Sequence, residues 1–298
     1  MQEYERILRE VIGTNERFGD GPDRRDEDVD YPPFDPGAPR AISHKRSERM
    51  LAELSLLHEG GSVSLAALTG ALRVSAATIR RDLADMEDQG LLVRTHGGAR
   101  ARMALPEVPV RLRDSQFREA KQKIARRVAE LVPEGRYSVA LSGGTTTAEV
   151  ARVLAVRPDL AIITNSLTTV MAIASRPNLK VIITGGVVRS SSFEAVGVLA
   201  ENTFNSINVG TAILGTDGIS ALGGATTHDE TEARTNHAMV VHAQHVVVVA
   251  DGSKVGRVTL AKMADLSEIH ALVTDSTADQ DELERIAAAG VEIHVVDA

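Results

Sequence analysis

The chain has 298 residues, 43% of them apolar and 3% aromatic, with no Trp and no Cys. That length suits two domains with cores of Leu, Val, Ile and Ala, and the absence of Cys excludes disulfides, thiolate metal sites and cysteine nucleophiles. The formal net charge of −8 argues against a broad, sequence-blind nucleic-acid binder but leaves room for a local DNA-binding face, because phosphate neutralisation depends on local charge.

Residues 1–42 begin with a helical turn or two, EYERILREVI, and continue as GDGPDRRDEDVDYPPFDPGAP. So much Gly, Pro and Asp cannot bury enough apolar surface to offset ordering entropy, so an acidic, disordered arm is expected there. It reads as a passive tail, with competition for a basic face as the alternative. No run of eighteen apolar residues follows and the first residues are charged rather than a signal peptide, so a cytoplasmic protein without a membrane partner is expected.

Residues 43–103 are slightly basic and read as a winged helix-turn-helix domain. Ser43 to His58 places Met50, Leu51, Leu54 and Leu57 on one helical face, with Lys45 and Arg46 at the entrance, where contacts to a DNA backbone are common. Gly60-Gly61 ends this helix, and Ser62-Val63-Ser64 can pair with a later strand. Leu65, Leu68 and Leu72 define a short helix, and Ser75 caps the next one. In that second helix Ile79, Leu83 and Met86 form the inward stripe, while Thr78, Arg80, Arg81 and Asp82 lie off it. Gln89-Gly90 stops the helix, and LLVRTHGGA reads as a strand and a Gly-Gly turn, a wing carrying Arg94 and His96. An isolated Arg pair is usually a solvated helix face. Here the pair opens a capped second helix with a wing behind it, so we assign DNA contact to Lys45, Arg46, Ser75, Thr78, Arg80, Arg81, Arg94 and His96.

Residues 104–117 read as a linker marked by Pro106 and Pro109. From residue 118 to 298 strands alternate with helices, which predicts a doubly wound, mostly parallel α/β sheet. The helix REAKQKIARRVAELV turns Ile124, Val128 and Leu131 inward, and seven strand segments follow: RYSVAL, LAIITN, KVIITGG, VGTAILGTDGI, HVVVVADGSKVG, IHALVTD and VEIHVV. In such sheets ligands bind beyond the carboxyl ends of the strands.

At one of those ends stands Ser142-Gly143-Gly144-Thr145-Thr146-Thr147. Glycines let the backbone approach an anion, and amides and hydroxyls at a helix N-terminus can hold it. The pattern is neither a Walker loop nor GxGxxG, so a single monophosphate suits it better than a nucleotide or dinucleotide, and no cofactor is expected. An ordinary strand-to-helix turn is the alternative. Lys254, at another strand end, can supply countercharge. The run His228-Asp229-Glu230 with Glu232 has no partnered ligand pair, so sugar hydroxyls or helix capping explain it better than a metal.

Together these residues resemble the DeoR family of bacterial sugar-catabolism repressors. The resemblance runs from about Ser43 to Asp275 and rests on VSAATIRRDLADMEDQGLLVRTHGGA in the first half and on SGGTTT, TNS, TGG, LGTDGI and DGSK in the second. It implies a sensor sheet like those of ribose-5-phosphate isomerase and glucosamine-6-phosphate deaminase. It also implies a phosphorylated sugar effector that weakens operator binding. The phosphate would meet Ser142 to Thr147 and Lys254, and Asn165, Ser166, Gly185, Gly186, Asp217 and Glu230 would line the sugar. The chain departs from the family where SGTTT usually follows an Asp, since it reads Leu141-Ser142-Gly143-Gly144-Thr145, and where Arg234 replaces a Lys-type residue.

The reading is therefore a sugar-phosphate-responsive repressor, not an enzyme, acting on a double-stranded operator as a homodimer or homotetramer. The alternative is an isomerase- or deaminase-like enzyme with a DNA-binding appendage. The related deaminases carry a His after the Asp-Gly of the active-site loop, whereas Asp217-Gly218 is followed here by Ile219. Activation rather than repression is a third reading.

Overall fold

In the computed structural model the described residues are 44–102, 107–114, 116–177 and 179–298. The arm expected over 1–42, residues 43 and 103 at the ends of the expected winged helix-turn-helix domain, and residues 104–106 and 115 of the expected linker lie outside them.

The first elements are α1 (His44–Gly60), β1 (Ser62–Ser64), α2 (Leu65–Leu72), α3 (Ala76–Asp88), β2 (Leu92–Thr95) and β3 (Gly98–Ala101). Met50, Leu54 and Leu57 of α1, Leu68 of α2, and Ile79, Leu83 and Met86 of α3 meet in one buried core. Arg73, in the left-handed region at φ 53°, makes the tight turn between α2 and α3. Ser75 caps α3, its hydroxyl accepting the Thr78 amide at 3.2 Å. The three strands form an antiparallel sheet in the order β1-β3-β2, so Ser62–Ser64 does pair with the wing. Gly98 is required there, because any Cβ would overlap the Val63 carbonyl across the pair.

Asp82 departs from the helical-stripe expectation. It is 1% exposed, because Arg46 and Arg49 of α1 reach across to its carboxylate. A buried carboxylate survives when its lone pairs are filled by such charged donors.

The segment expected as a featureless linker contains a short helix, α4 (Val110–Arg113). Its Leu112 is fully buried in the winged-helix core, while its Val110 amide bonds to the Ser191 carbonyl of the second domain at 2.8 Å.

The second domain then runs α5 (Arg118–Leu131), β4 (Tyr137–Leu141), α6 (Thr145–Leu154), β5 (Leu160–Thr164), α7 (Leu167–Ile173), β6 (Lys180–Ile183), β7 (Val187–Val188), β8 (Ala195–Val196) and α8 (Val198–Asn205). It continues with β9 (Val209–Gly215), β10 (Gly218–Ser220), β11 (Gly224–Thr227), α9 (Glu230–Val241), β12 (Ala243–Val249), β13 (Ala261–Ala264), β14 (Ala271–Asp275), α10 (Gln280–Ala288) and β15 (Glu292–Val296). All seven expected strands join one sheet in the order β15-β14-β12-β9-β4-β5-β6, and every neighbouring pair is parallel. Alternate residues feed opposite faces. Ala212, Leu214, Val246 and Val248 enter one core, and Val139, Leu141, Ile213 and Val247 the other.

Strand order reverses between β4 and β9, since the chain first builds outward to β6 and then returns to the other side of β4. That gap is where a doubly wound sheet opens a crevice at its strand ends. Two smaller sheets were not foreseen. The antiparallel set β10-β11-β13 and the pair β7-β8 consist of strands of two to four residues, too short to show a period.

Candidate functional site

Two faces carry the chemistry. On the first, α3 presents Arg80 and Arg81, both exposed and without an ion pair to any other described residue. Thr78 shares its hydroxyl with Ser75 at 2.9 Å, and Lys45 is exposed on α1. His96 is exposed at the wing turn. Arg46 is placed differently from the expectation. Its guanidinium bonds Asp82 at 2.8 Å and also Asp85, so it fastens α1 to α3. Arg94 is half-exposed and holds Glu87 of α3 at 2.6 Å, while its own amide bonds the same carboxylate at 2.8 Å. This ties the wing to the helix it follows. Behind α3, Glu53 is 1% exposed, and burial, reinforced by the Asp82 charge, pushes its carboxyl up to about 8.

The second face is a cleft at the carboxyl ends of β4, β9 and β12, on the reversal point of the strand order. The loop between β4 and α6 forms one wall. Gly144, at φ 117°, stands at the N-cap position of α6 with no side chain bonding the first helical amides, so those donors are open toward the cleft. Thr145 and Thr146 line it as well. Ser142 does not: its amide bonds the Ile213 carbonyl and its hydroxyl accepts the Gly215 amide at 2.9 Å, which stitches β4 to β9. Thr147 turns its hydroxyl back onto the Gly144 carbonyl at 3.0 Å.

Three cations line the same cleft: Arg113 from α4, Lys121 from α5 and Lys254 after β12. Burial pushes Lys121 down to about 8, against the pull of Asp251 and Asp114. Burial also lowers Lys254, although Asp217 and Asp251 oppose it. Arg113 donates to Asp217 at 2.7 Å. Burial works against the Asp217 charge, but Arg113 and Lys254 outweigh it and hold this carboxyl below its ordinary range. Glu107 accepts from both Arg113, at 3.3 Å, and Arg189, at 2.8 Å, and Arg189 in turn bonds Glu232 in the cleft.

Of the residues expected around a sugar, Asp217 reaches the cleft. Asn165 is buried beside Asn236 at 3.5 Å, Ser166 caps α7, and Gly185 and Gly186 lie near β8 and α8. Glu230 is exposed to solvent, and its place in the cleft is taken by Glu232, two residues on. Asp229 caps α9. Arg113, Lys121 and Glu194 were not singled out in sequence, and Glu232 entered only within the polar run that starts at His228, although two signals existed. Lys121 sits on the inward stripe of α5 with Ile124, Ala125 and Val128, and Glu232 shares the buried face of α9 with Asn236 and Met239. An ionisable residue on an apolar stripe is costly to bury and so marks a site. Among the described residues no group of three His, Cys, Asp or Glu side chains is placed to hold a metal, and no helix is long and apolar enough to cross a membrane.

A winged helix-turn-helix joined to a parallel sheet with a charged, polar cleft at its switch point defines a ligand-responsive transcriptional regulator. A model of the DeoR-like helix-turn-helix domain matches residues 46–103, and a model of the DeoR C-terminal sensor domain matches residues 116–276. The chain belongs to the DeoR family. It is 37% identical over 248 residues to the HTH-type transcriptional regulator GlpR of Haloferax volcanii, covering 83% of this chain and 96% of that one. It is 32% identical over 232 residues to the glycerol-3-phosphate regulon repressor of Escherichia coli K12, covering 78% and 92%. Ribose 5-phosphate isomerase A of Methanocaldococcus jannaschii aligns with a TM-score of 0.35 and 17% identity over 46% of this chain and 54% of that one, too slight a likeness to carry an argument.

Proposed function

We propose that this protein is a cytoplasmic repressor of carbohydrate-catabolism genes whose hold on its operator is weakened by a phosphorylated sugar or polyol. One observation carries the reading: Arg113, Lys121 and Lys254 line one cleft with the open amides of the Gly144–Thr146 turn. A monophosphate can accept from these cations and amides together, in competition with the carboxylates already beside them, and such charge-assisted bonds are the strong kind. The relative named for glycerol 3-phosphate is consistent with such a ligand.

Release follows from where Arg113 stands. Arg113 is paired to Asp217, and its chain neighbour Leu112 is fixed in the winged-helix core. A phosphate competes with Asp217 for Arg113, and any shift of α4 is felt at once by the DNA-reading domain. The effector acts by binding one arrangement more tightly than the other. Two-fold operators then call for a dimer or a multiple of one. Catalysis is not part of this proposal: Ile219 follows Asp217-Gly218, so no ring-opening His is present at that step of the loop.

A thermal-shift series tests the ligand. A sugar phosphate is expected to raise the melting temperature by mass action while its unphosphorylated parent does not, and the K254A variant loses the shift. Equal shifts with sugar and sugar phosphate, or none with any phosphate, would overturn the reading, as would turnover of the added compound.

A further inference from the structure

Glu194 lies just ahead of β8, yet its side chain reaches under the anion loop on β4's end of the sheet. It is 2% exposed, and its Oε1 accepts the Gly143 amide at 2.7 Å. Gly143 makes this approach possible, since a Cβ there would overlap the Glu194 carboxyl. Ser192 and Glu232 stand beside this carboxyl, and all three residues line the cleft. Burial raises both carboxyls above their ordinary range, Glu232 the more because Glu194 faces it.

Two consequences follow. The Gly143 amide is already taken, so an anion is confined to the amides from Gly144 onward. Beside that anion stands a pair of buried carboxyls whose oxygens can accept from a neighbouring O–H donor. We infer that Glu194, backed by Glu232, is a specificity-determining residue that selects effectors carrying hydroxyls next to the phosphate. This rests on the sugar-phosphate reading of the cleft.

The test compares wild-type protein, E194A and the isosteric E194Q by calorimetric titration with glycerol 3-phosphate, fructose 6-phosphate and glucose 6-phosphate, each against n-propyl phosphate and inorganic phosphate. Wild type is expected to favour its best hydroxylated ligand over n-propyl phosphate by on the order of tenfold to a hundredfold. In E194A that ratio collapses toward one, and in E194Q it falls part of the way. A merely structural role lowers affinity for all the phosphates together and leaves the ratio standing, and that result would overturn the inference. So would a wild type that ranks n-propyl phosphate with the hydroxylated ligands. Wild type that binds no phosphate compound at all overturns the parent reading, and this inference with it.

Discussion

Five arginines near the DNA-reading helix carry the same charge and do different work. Arg46 and Arg49 spend theirs on the buried Asp82, so they hold α1 against α3. Arg94 is drawn to Glu87, and Arg80 and Arg81 have no described ionic partner. The free pair is the one available to phosphates and base edges. The double variant R80A/R81A is expected to weaken operator binding by on the order of a hundredfold and to reduce the salt dependence by about two ions, with an unchanged melting temperature. An unaltered salt slope would remove the pair from the interface. Glu53 makes a pH prediction in the same domain. Its folded pKa of about 8 lies above the unfolded value near 4.5, so the native state binds the extra proton between them. Its contribution to stability is full below about 4.5 and is lost as pH rises toward 8. Melting followed across that window should decline less steeply in E53Q than in wild type, and identical slopes would mean that Glu53 is ionised throughout.

At the level of elements, what could be read in the sequence was whatever repeats. The α3 stripe of Ile79, Leu83 and Met86 and the seven apolar strand runs each carry their own period, and all of them formed. The short strands of the antiparallel sheet carry none, because three or four residues with a Gly at one end do not complete an alternation. The α4 helix is four residues long, and its importance comes from its two neighbours rather than from its sequence. Leu112 points into one domain and Arg113 into the cleft of the other. L112A should cost roughly 2–5 kcal/mol of stability, the usual range for a fully buried leucine. It should also blunt the release of DNA by effector while leaving effector binding to the free protein intact. Operator release as steep as in wild type would show that α4 is not the connection.

Over the whole molecule, the cleft joins residues far apart in the chain: Arg113 and Asp217 are 104 positions apart, and Gly143 and Glu194 are 51. That Gly143 to Thr146 and Lys254 line the cleft was legible because strand-end glycines and a strand-end lysine stand out locally. Arg113, Lys121 and Glu194 were not, because their roles depend on the sheet order that brings them together. That order also puts the cleft where α4 enters the second domain, and under the proposed function this is how a single ligand bears on the position of the winged helix. The effector's reach is set by its differential affinity for the two arrangements, of the size usual for coupled sites.

The most direct measurement is fluorescence anisotropy on a duplex selected by the protein from random sequence, titrated with and without the phosphate that stabilises it best. This compound is expected to raise the apparent Kd for the duplex about tenfold or more, its unphosphorylated parent is not, and K254A is expected to bind the duplex but no longer let go. A duplex affinity that stays the same when the stabilising phosphate saturates the protein would contradict it.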